Sequence, residues 1–247
     1  MIEGRAVIEL LGFFFHRNQL NELPRGDGHP VMVLPGWMTS DASTVPLRGL
    51  LKDLGYAVHG WGLGRNLMAS EEMERKLADR VDALTDRYGR KISLIGWSAG
   101  GVYARVIAHQ MESSIRQVIT LGSPFRGVKG ATNVEWLYEW VTGESIDDAD
   151  RQIRQRAATP PPVPATSIYS KGDGIMHWEA CRDAEEGHLR QNIEVSGSHT
   201  GLGHNPAVLK CIADRLALRE GEWRPYETGE RADIRRETSD GRKKIKH

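Results

Sequence analysis

Gly96-Trp97-Ser98-Ala99-Gly100 sets a serine directly after the apolar run Ile92-Ser93-Leu94-Ile95 and ahead of a segment with helical periodicity. A strand that ends at Ile95 and reverses at once into a helix crowds the serine backbone against the residues two before and two after it, and glycines at 96 and 100 supply the missing Cβ atoms. Such a turn exposes a hydroxyl for nucleophilic attack. It also lies at a helix N-terminus, where unpaired N–H groups point outward, so the amide of Ala99 is a natural donor to a developing oxyanion. The helix is read from Val102, Tyr103, Val106, Ile107 and Gln110 at helical spacing, with Ala99, Ala104 and Ala108 favouring it. In a chain with 27 glycines the pentapeptide alone is a weak signal, and its surroundings carry the case.

A serine at its free pKa is a poor nucleophile and needs a base, itself held in one tautomer by an acid. Nine histidines are present, and six of them, His109, His177, His188, His199, His204 and His247, follow Ser98. His109 belongs to the helix that leaves the serine, and His247 ends a polar tail. His199 sits in the glycine-rich loop Ser196-Gly197-Ser198-His199-Thr200-Gly201 after a strand at 192–195, and Asp173 in Ser170-Lys171-Gly172-Asp173-Gly174 after a strand at 166–169. An aspartate between glycines is ordinarily a turn former, and a histidine in a loop ordinarily has no special role. Their order and shared position after successive strands give them weight as acid and base. His204, next to Asn205-Pro206 at the expected start of the last helix, reads as a structural or pocket residue. His177 is expected in a helix near the site. A second oxyanion donor is expected from Leu34-Pro35-Gly36-Trp37-Met38 after the first strand, with the amide of Trp37 preferred and that of Met38 in reserve.

These residues need a scaffold that aligns strand ends, and the chain alternates accordingly. Short apolar runs at 31–34, 56–61, 92–95, 118–121, 166–169 and 192–195 predict strands, and segments at 46–54, 71–88, 99–111 and 206–218 predict helices. The alternation predicts an α/β fold: a mostly parallel sheet of about six strands with helices on both faces. Residues 1–219 read as one domain. An amphipathic N-terminal helix is marked by Val7, Leu10, Leu11 and Phe14, made unusually apolar by Phe13 and Phe15, and reads as packed on the core or on a neighbouring subunit, with contact to a lipid substrate or membrane surface as the lesser reading. The interval between Leu121 and Thr166 is too long for a simple connection. We read a small helical cap inserted at 124–165, with a stripe of Val134, Leu137, Tyr138 and Val141, a charged helix at 147–156, and the linker Pro160-Pro161-Pro162. Ligands bind at the carboxyl edge of open α/β sheets, so Trp136 and Trp140 of the cap, with Met38 and Trp97, are the candidates to line an acyl pocket. Residues 220–247 form a polar tail, expected to lie extended over the surface or disordered.

The 33 basic and 33 acidic residues cancel, which argues against steering toward nucleic acid or an anionic membrane. Cys181 and Cys211 are too few for a disulfide scaffold and lack metal-ligand spacing; buried thiols are expected, with a single disulfide as the lesser reading. No cofactor or metal is called for. No stretch approaches a membrane span, and Ile2 to Phe15 lacks a long apolar core and a small-residue cleavage site, so stable membrane insertion is not expected and the protein reads as soluble and cytoplasmic. A homo-oligomer is left open.

The succession of a Pro-Gly-aromatic segment, a Gly-x-Ser-x-Gly elbow, a late Gly-Asp-Gly turn and a Gly-Ser-His-x-Gly loop resembles bacterial α/β-hydrolases of the esterase/lipase type over about residues 30–219. The resemblance implies a Ser98–His199–Asp173 triad acting on a small ester or acyl substrate through an acyl-enzyme. It also implies that the sheet begins at what is the third strand of the larger fold. Acyltransfer, thioester, lactone or amide chemistry suits the same scaffold, and a noncatalytic binding protein is the rival of another class. Two departures stand out: Trp97 replaces the smaller or polar residue of many lipase elbows, and the cap is short.

Overall fold

The computed structural model describes residues 23–67, 70–126 and 148–227. The expected N-terminal helix, residues 127–147 of the cap interval with Trp136 and Trp140, and residues 228–247 lie outside the described residues. Strands β1 (Pro30–Leu34), β2 (Ala57–Gly60), β3 (Ile92–Trp97), β4 (Ile115–Leu121), β5 (Ala165–Tyr169) and β6 (Arg190–Glu194) alternate with helices α1 (Val45–Asp53), α2 (Glu71–Tyr88), α3 (Ala99–Gln110), α4 (Asp148–Ala158) and α5 (Pro206–Ala217). All strand pairs are parallel, in the order β2-β1-β3-β4-β5-β6.

Period-two alternation sorts the strand residues between two cores. Val31 and Val33 of β1, Ile95 of β3 and Ile119 and Leu121 of β4 pack with Leu47, Leu50 and Leu51 of α1 and Val208, Leu209 and Ile212 of α5. Met32 and Leu34, Ile92 and Leu94, and Val118 face the other way, onto Leu77, Val81 and Leu84 of α2 and Tyr103, Ala104 and Ile107 of α3. The helix ends are written in the sequence. Ser70 Oγ caps α2 by accepting from Met73 N, three acidic residues lie in its first turn, and Gly89 closes it in the left-handed region at φ 59°. For α5, Asn205 Oδ1 accepts from Ala207 N and Pro206 occupies the first turn.

The chain leaves β1 toward β2 on one side and returns through β3 on the other, with α1 and α3 on opposite faces. The crevice between the ends of β1 and β3 is therefore a topological switch point, where α/β sheets open a ligand site. In register, Leu34 lies beside Gly96 and Trp97 beside Leu121, so the loops that follow β1, β3 and β4 emerge together.

Of the cap interval, α4 is described: Ile153 and Ala157 pack against Val106 of α3 and Phe125. Arg156 closes an ion pair of 2.6 Å with Glu74 of α2. Residues 220–227, the start of the expected tail, are docked on the body: Tyr226 packs on the first core, and its N–H and C=O pair with Gln191 Oε1 (2.6 Å) and Nε2 (2.9 Å). The lesser reading of the cysteines is corrected, since Cys181 and Cys211 are free and buried.

Candidate active site

The elbow is present as a strained turn. Ser98 has φ 53° and ψ −124°, a region that a non-glycine residue occupies only when its surroundings force it there. The surroundings do so. A Cβ on Gly96 would stand 2.3 Å from Gly101 Cα, and one on Gly100 would stand 2.4 Å from Leu34 O, so backbone fills the space where side chains would otherwise go. Ser98 N donates to Leu121 O at 2.8 Å, which carries the β3–β4 ladder one residue past the strand and fixes the serine to the sheet edge.

Asp173 and His199 meet beyond β5 and β6. His199 Nδ1 donates to Asp173 Oδ2 at 2.6 Å, and the other carboxylate oxygen accepts from Ile175 N (2.9 Å) and Met176 N (2.7 Å). Both side chains are almost fully buried. A carboxylate can only accept, so this contact puts the imidazole proton on Nδ1 and leaves Nε2 for proton transfer. Ser170 staples the two loops together: its Oγ donates to Gly197 O (2.7 Å) and accepts from Gly172 N (3.0 Å) and Gly197 N (3.2 Å).

Two contacts tie this dyad to the elbow. A Cβ on Gly122, the residue after Leu121, would stand 3.2 Å from both Asp173 Oδ2 and His199 Nδ1. Gly122, at φ 53°, is thus the seat of the dyad, and Leu121 before it receives the Ser98 amide. On the other side, the Trp97 indole donates from Nε1 to His199 O at 3.1 Å, and its ring fills the space beside Gly203. Trp97, a candidate pocket residue by sequence, is partly buried and, as the residue just before Ser98, ties the His199 loop to the elbow. Gly122 went unnoticed in the sequence because a glycine after a strand is too common to single out.

The loop after β1 passes directly beside the serine, since a Cβ on Gly36 would lie 3.3 Å from Ser98 Cβ. Residues 36–39 form a tight turn in which Gly36 O accepts from Thr39 N (3.2 Å) and Thr39 Oγ1 (2.7 Å). Met38, held in reserve as a donor, is corrected: its amide already donates to Asn66 O at 2.7 Å. Met38 has φ 60° and its side chain is exposed. Among the described residues the Trp37 amide has no backbone partner, while its indole donates to Leu67 O at 2.7 Å. His177 also departs from expectation. It has an extended backbone ahead of a short 3-10 turn, Trp178–Cys181, and is not helical. His204 closes another such turn, Leu202–His204, just before α5.

A buried Ser–His–Asp relay lies at the opposite edge of the sheet. His29 Nδ1 meets Asp27 Oδ1 at 2.5 Å, and Nε2 meets Ser93 Oγ at 2.9 Å. His29 and Ser93 are completely buried, so no substrate reaches them and the relay is structural. Burial foremost, opposed by the Asp27 hydrogen bond and aided by the Arg116 and Arg90 charges, holds the His29 imidazole down at about 4. The folded protein therefore keeps His29 neutral where the unfolded chain, titrating near 6.5, takes up a proton. The resulting stability is complete above pH 6.5 and is lost as pH falls to 4. Urea unfolding is expected to show a loss of about 3 kcal/mol between pH 7 and pH 4, much reduced in His29→Leu. An equal loss in wild type and variant would contradict this assignment.

The fold and the elbow define an α/β-hydrolase of the esterase/lipase type. The profile of the palmitoyl protein thioesterase family matches residues 30–172, more than half of the chain, and the chain belongs to that family. It is 34% identical over 113 residues to the pimeloyl-[acyl-carrier protein] methyl ester esterase of Shewanella sp. (strain MR-7), a match covering 44% of this chain and 40% of that protein. It is 31% identical over 128 residues to the human serine hydrolase BPHL, covering 48% and 42% respectively. The chain thus matches about two fifths of the length of these relatives. Among solved structures, Aspergillus fumigatus lipase B superposes with a TM-score of 0.65 at 17% identity, over 79% of this chain and 54% of that one. Paleococcus ferrophilus monoacylglycerol lipase superposes with 0.58 at 14% identity, over 79% and 96%. At these identities the two structures share the fold. Among the described residues no helix is long and apolar enough to cross a membrane.

Proposed function

We propose that this protein is a serine hydrolase that cleaves carboxylic esters through an acyl-enzyme. The observation that carries the reading is the buried His199–Asp173 pair seated on Gly122, one residue from the carbonyl that fixes the Ser98 amide. In this reading His199 Nε2 takes the Ser98 proton as Oγ attacks the acyl carbon, and Asp173 orients the imidazole and stabilises its charged form. The amides of Ala99 and Trp37 receive the oxyanion. His199 then returns the proton to the departing alkoxide, and water enters by the same route to release the acid and restore Ser98. Met38, exposed on the turn that passes Ser98, contacts the acyl chain in this reading.

The family match favours thioesters as a second class of acyl donor. A common acyl-enzyme makes a specific prediction for both. With methanol added, the ratio of methyl ester to free acid formed from one acyl group is expected to be the same whether the leaving group is p-nitrophenol or a thiol, because the leaving group has gone before partitioning. A ratio that changes with the leaving group would contradict the acyl-enzyme. A series from acetyl to palmitoyl p-nitrophenyl esters, run beside it, gives the acyl length that the site prefers.

A further inference from the structure

Asn66 is buried, lies in the loop between β2 and α2, and makes three hydrogen bonds, all to the segment that bears the Trp37 amide. Its side chain donates from Nδ2 to Pro35 O (2.9 Å), its N–H donates to Thr39 O (2.8 Å), and its C=O accepts from Met38 N (2.7 Å). The next residue adds a fourth tie, Leu67 O accepting from Trp37 Nε1 (2.7 Å). The clamped turn is under strain, since Met38 sits in the left-handed region at φ 60° with a side chain half exposed to solvent. It also lies where placement matters, because Gly36 passes against Ser98 Cβ.

We infer that Asn66 is the positioning residue of the oxyanion site, holding the Trp37 amide in place through its three bonds to residues 35–39. The inference rests on the serine-hydrolase reading above and adds a residue to it. A donor helps only if it is already aimed at the oxygen when charge develops there, and a small displacement forfeits much of its value. The backbone bonds from Asn66 survive substitution by alanine or aspartate; the Nδ2–Pro35 bond does not. It joins the clamp to the residue just ahead of Gly36, at the root of the turn.

The test is Asn66→Ala, assayed on p-nitrophenyl esters with rates normalised to sites titrated by a fluorophosphonate. The expected result is a fall in kcat of about 10- to 100-fold with KM within about threefold. An aryl boronate, which places an oxyanion-like oxygen in the site, is expected to bind more weakly by a similar factor, while the product acid binds as before. A merely structural role would lower Tm and leave the normalised kcat and the boronate affinity unchanged, which would overturn the inference. Should Asn66→Ala not fold, Asn66→Asp keeps the shape, sets an acceptor against Pro35 O, and is read by the same assays. Ser98→Ala run alongside separates the two failures. Full turnover in Ser98→Ala sinks the hydrolase reading, whereas a dead Ser98→Ala beside an Asn66 variant of wild-type kcat sinks only the role of Asn66.

Discussion

Ser98→Ala and His199→Ala are each expected to lower kcat/KM toward p-nitrophenyl acyl esters by about 10⁴-fold or more, while His204→Ala stays within a few-fold of wild type. In the proposed mechanism the first substitution removes the attacking oxygen and the second its base. Each leaves the oxyanion donors in place, so some acceleration over water remains. The contrast between the two histidines is the informative part, because they stand five residues apart in one glycine-rich stretch. His199 has its Nδ1 on a buried carboxylate that is itself fixed by two backbone amides. His204 lies in the turn that leads into α5. Asp173→Asn is expected to cost nearly as much as His199→Ala, since the amide favours the wrong tautomer. A full loss in His204→Ala with activity kept in His199→Ala would move the base to residue 204.

The second large effect concerns stability. Arg105 of α3 is fully buried and forks onto Asp183 with bonds of 2.7 and 3.1 Å. It also donates to Ala157 O (2.6 Å) and Thr159 O (3.3 Å), and its guanidinium lies 3.7 Å from the centre of the Phe125 ring. One side chain thus gathers both roots of the cap interval and the loop that follows Asp173. Burial pulls the guanidinium pKa down while the bonds to Asp183 raise it, so the pair stands or falls together. Arg105→Ala strands a carboxylate in the interior and is expected to cost about 3–5 kcal/mol, which is a large part of a typical folding free energy. Lysine cannot reproduce the planar fork and is expected to recover little of this. Arg105→Met combined with Asp183→Asn is expected to recover more than half. Urea midpoints for the three variants check the ordering, and a loss under 1 kcal/mol in Arg105→Ala would contradict it.

The parts of the fold that obey a period were legible in the sequence. Short apolar runs gave the six strands, and helical spacing, with Asn205-Pro206 opening the last helix, gave α2 and α5. The elbow was legible because steric need leaves a fixed spacing of glycines around Ser98. Contacts made through the backbone were not, since they leave no residue type to recognise. The Met38 amide is taken by a carbonyl from a loop 28 residues on, and no feature of Leu34-Pro35-Gly36-Trp37-Met38 announces it. Asn66 has no sequence signal for the same reason. The His29 relay marks the opposite limit: serine, histidine and aspartate within hydrogen-bonding reach do not make a site when the histidine and the serine are sealed from solvent.

Labelling with a fluorophosphonate, followed by mapping of the modified peptide, tests most directly whether Ser98, His199 and Asp173 act as one unit. One adduct per chain, on Ser98, is expected, formed at least 100-fold more slowly in His199→Ala because the hydroxyl loses its base. No adduct, or an adduct on Ser98 at an undiminished rate without His199, would contradict it.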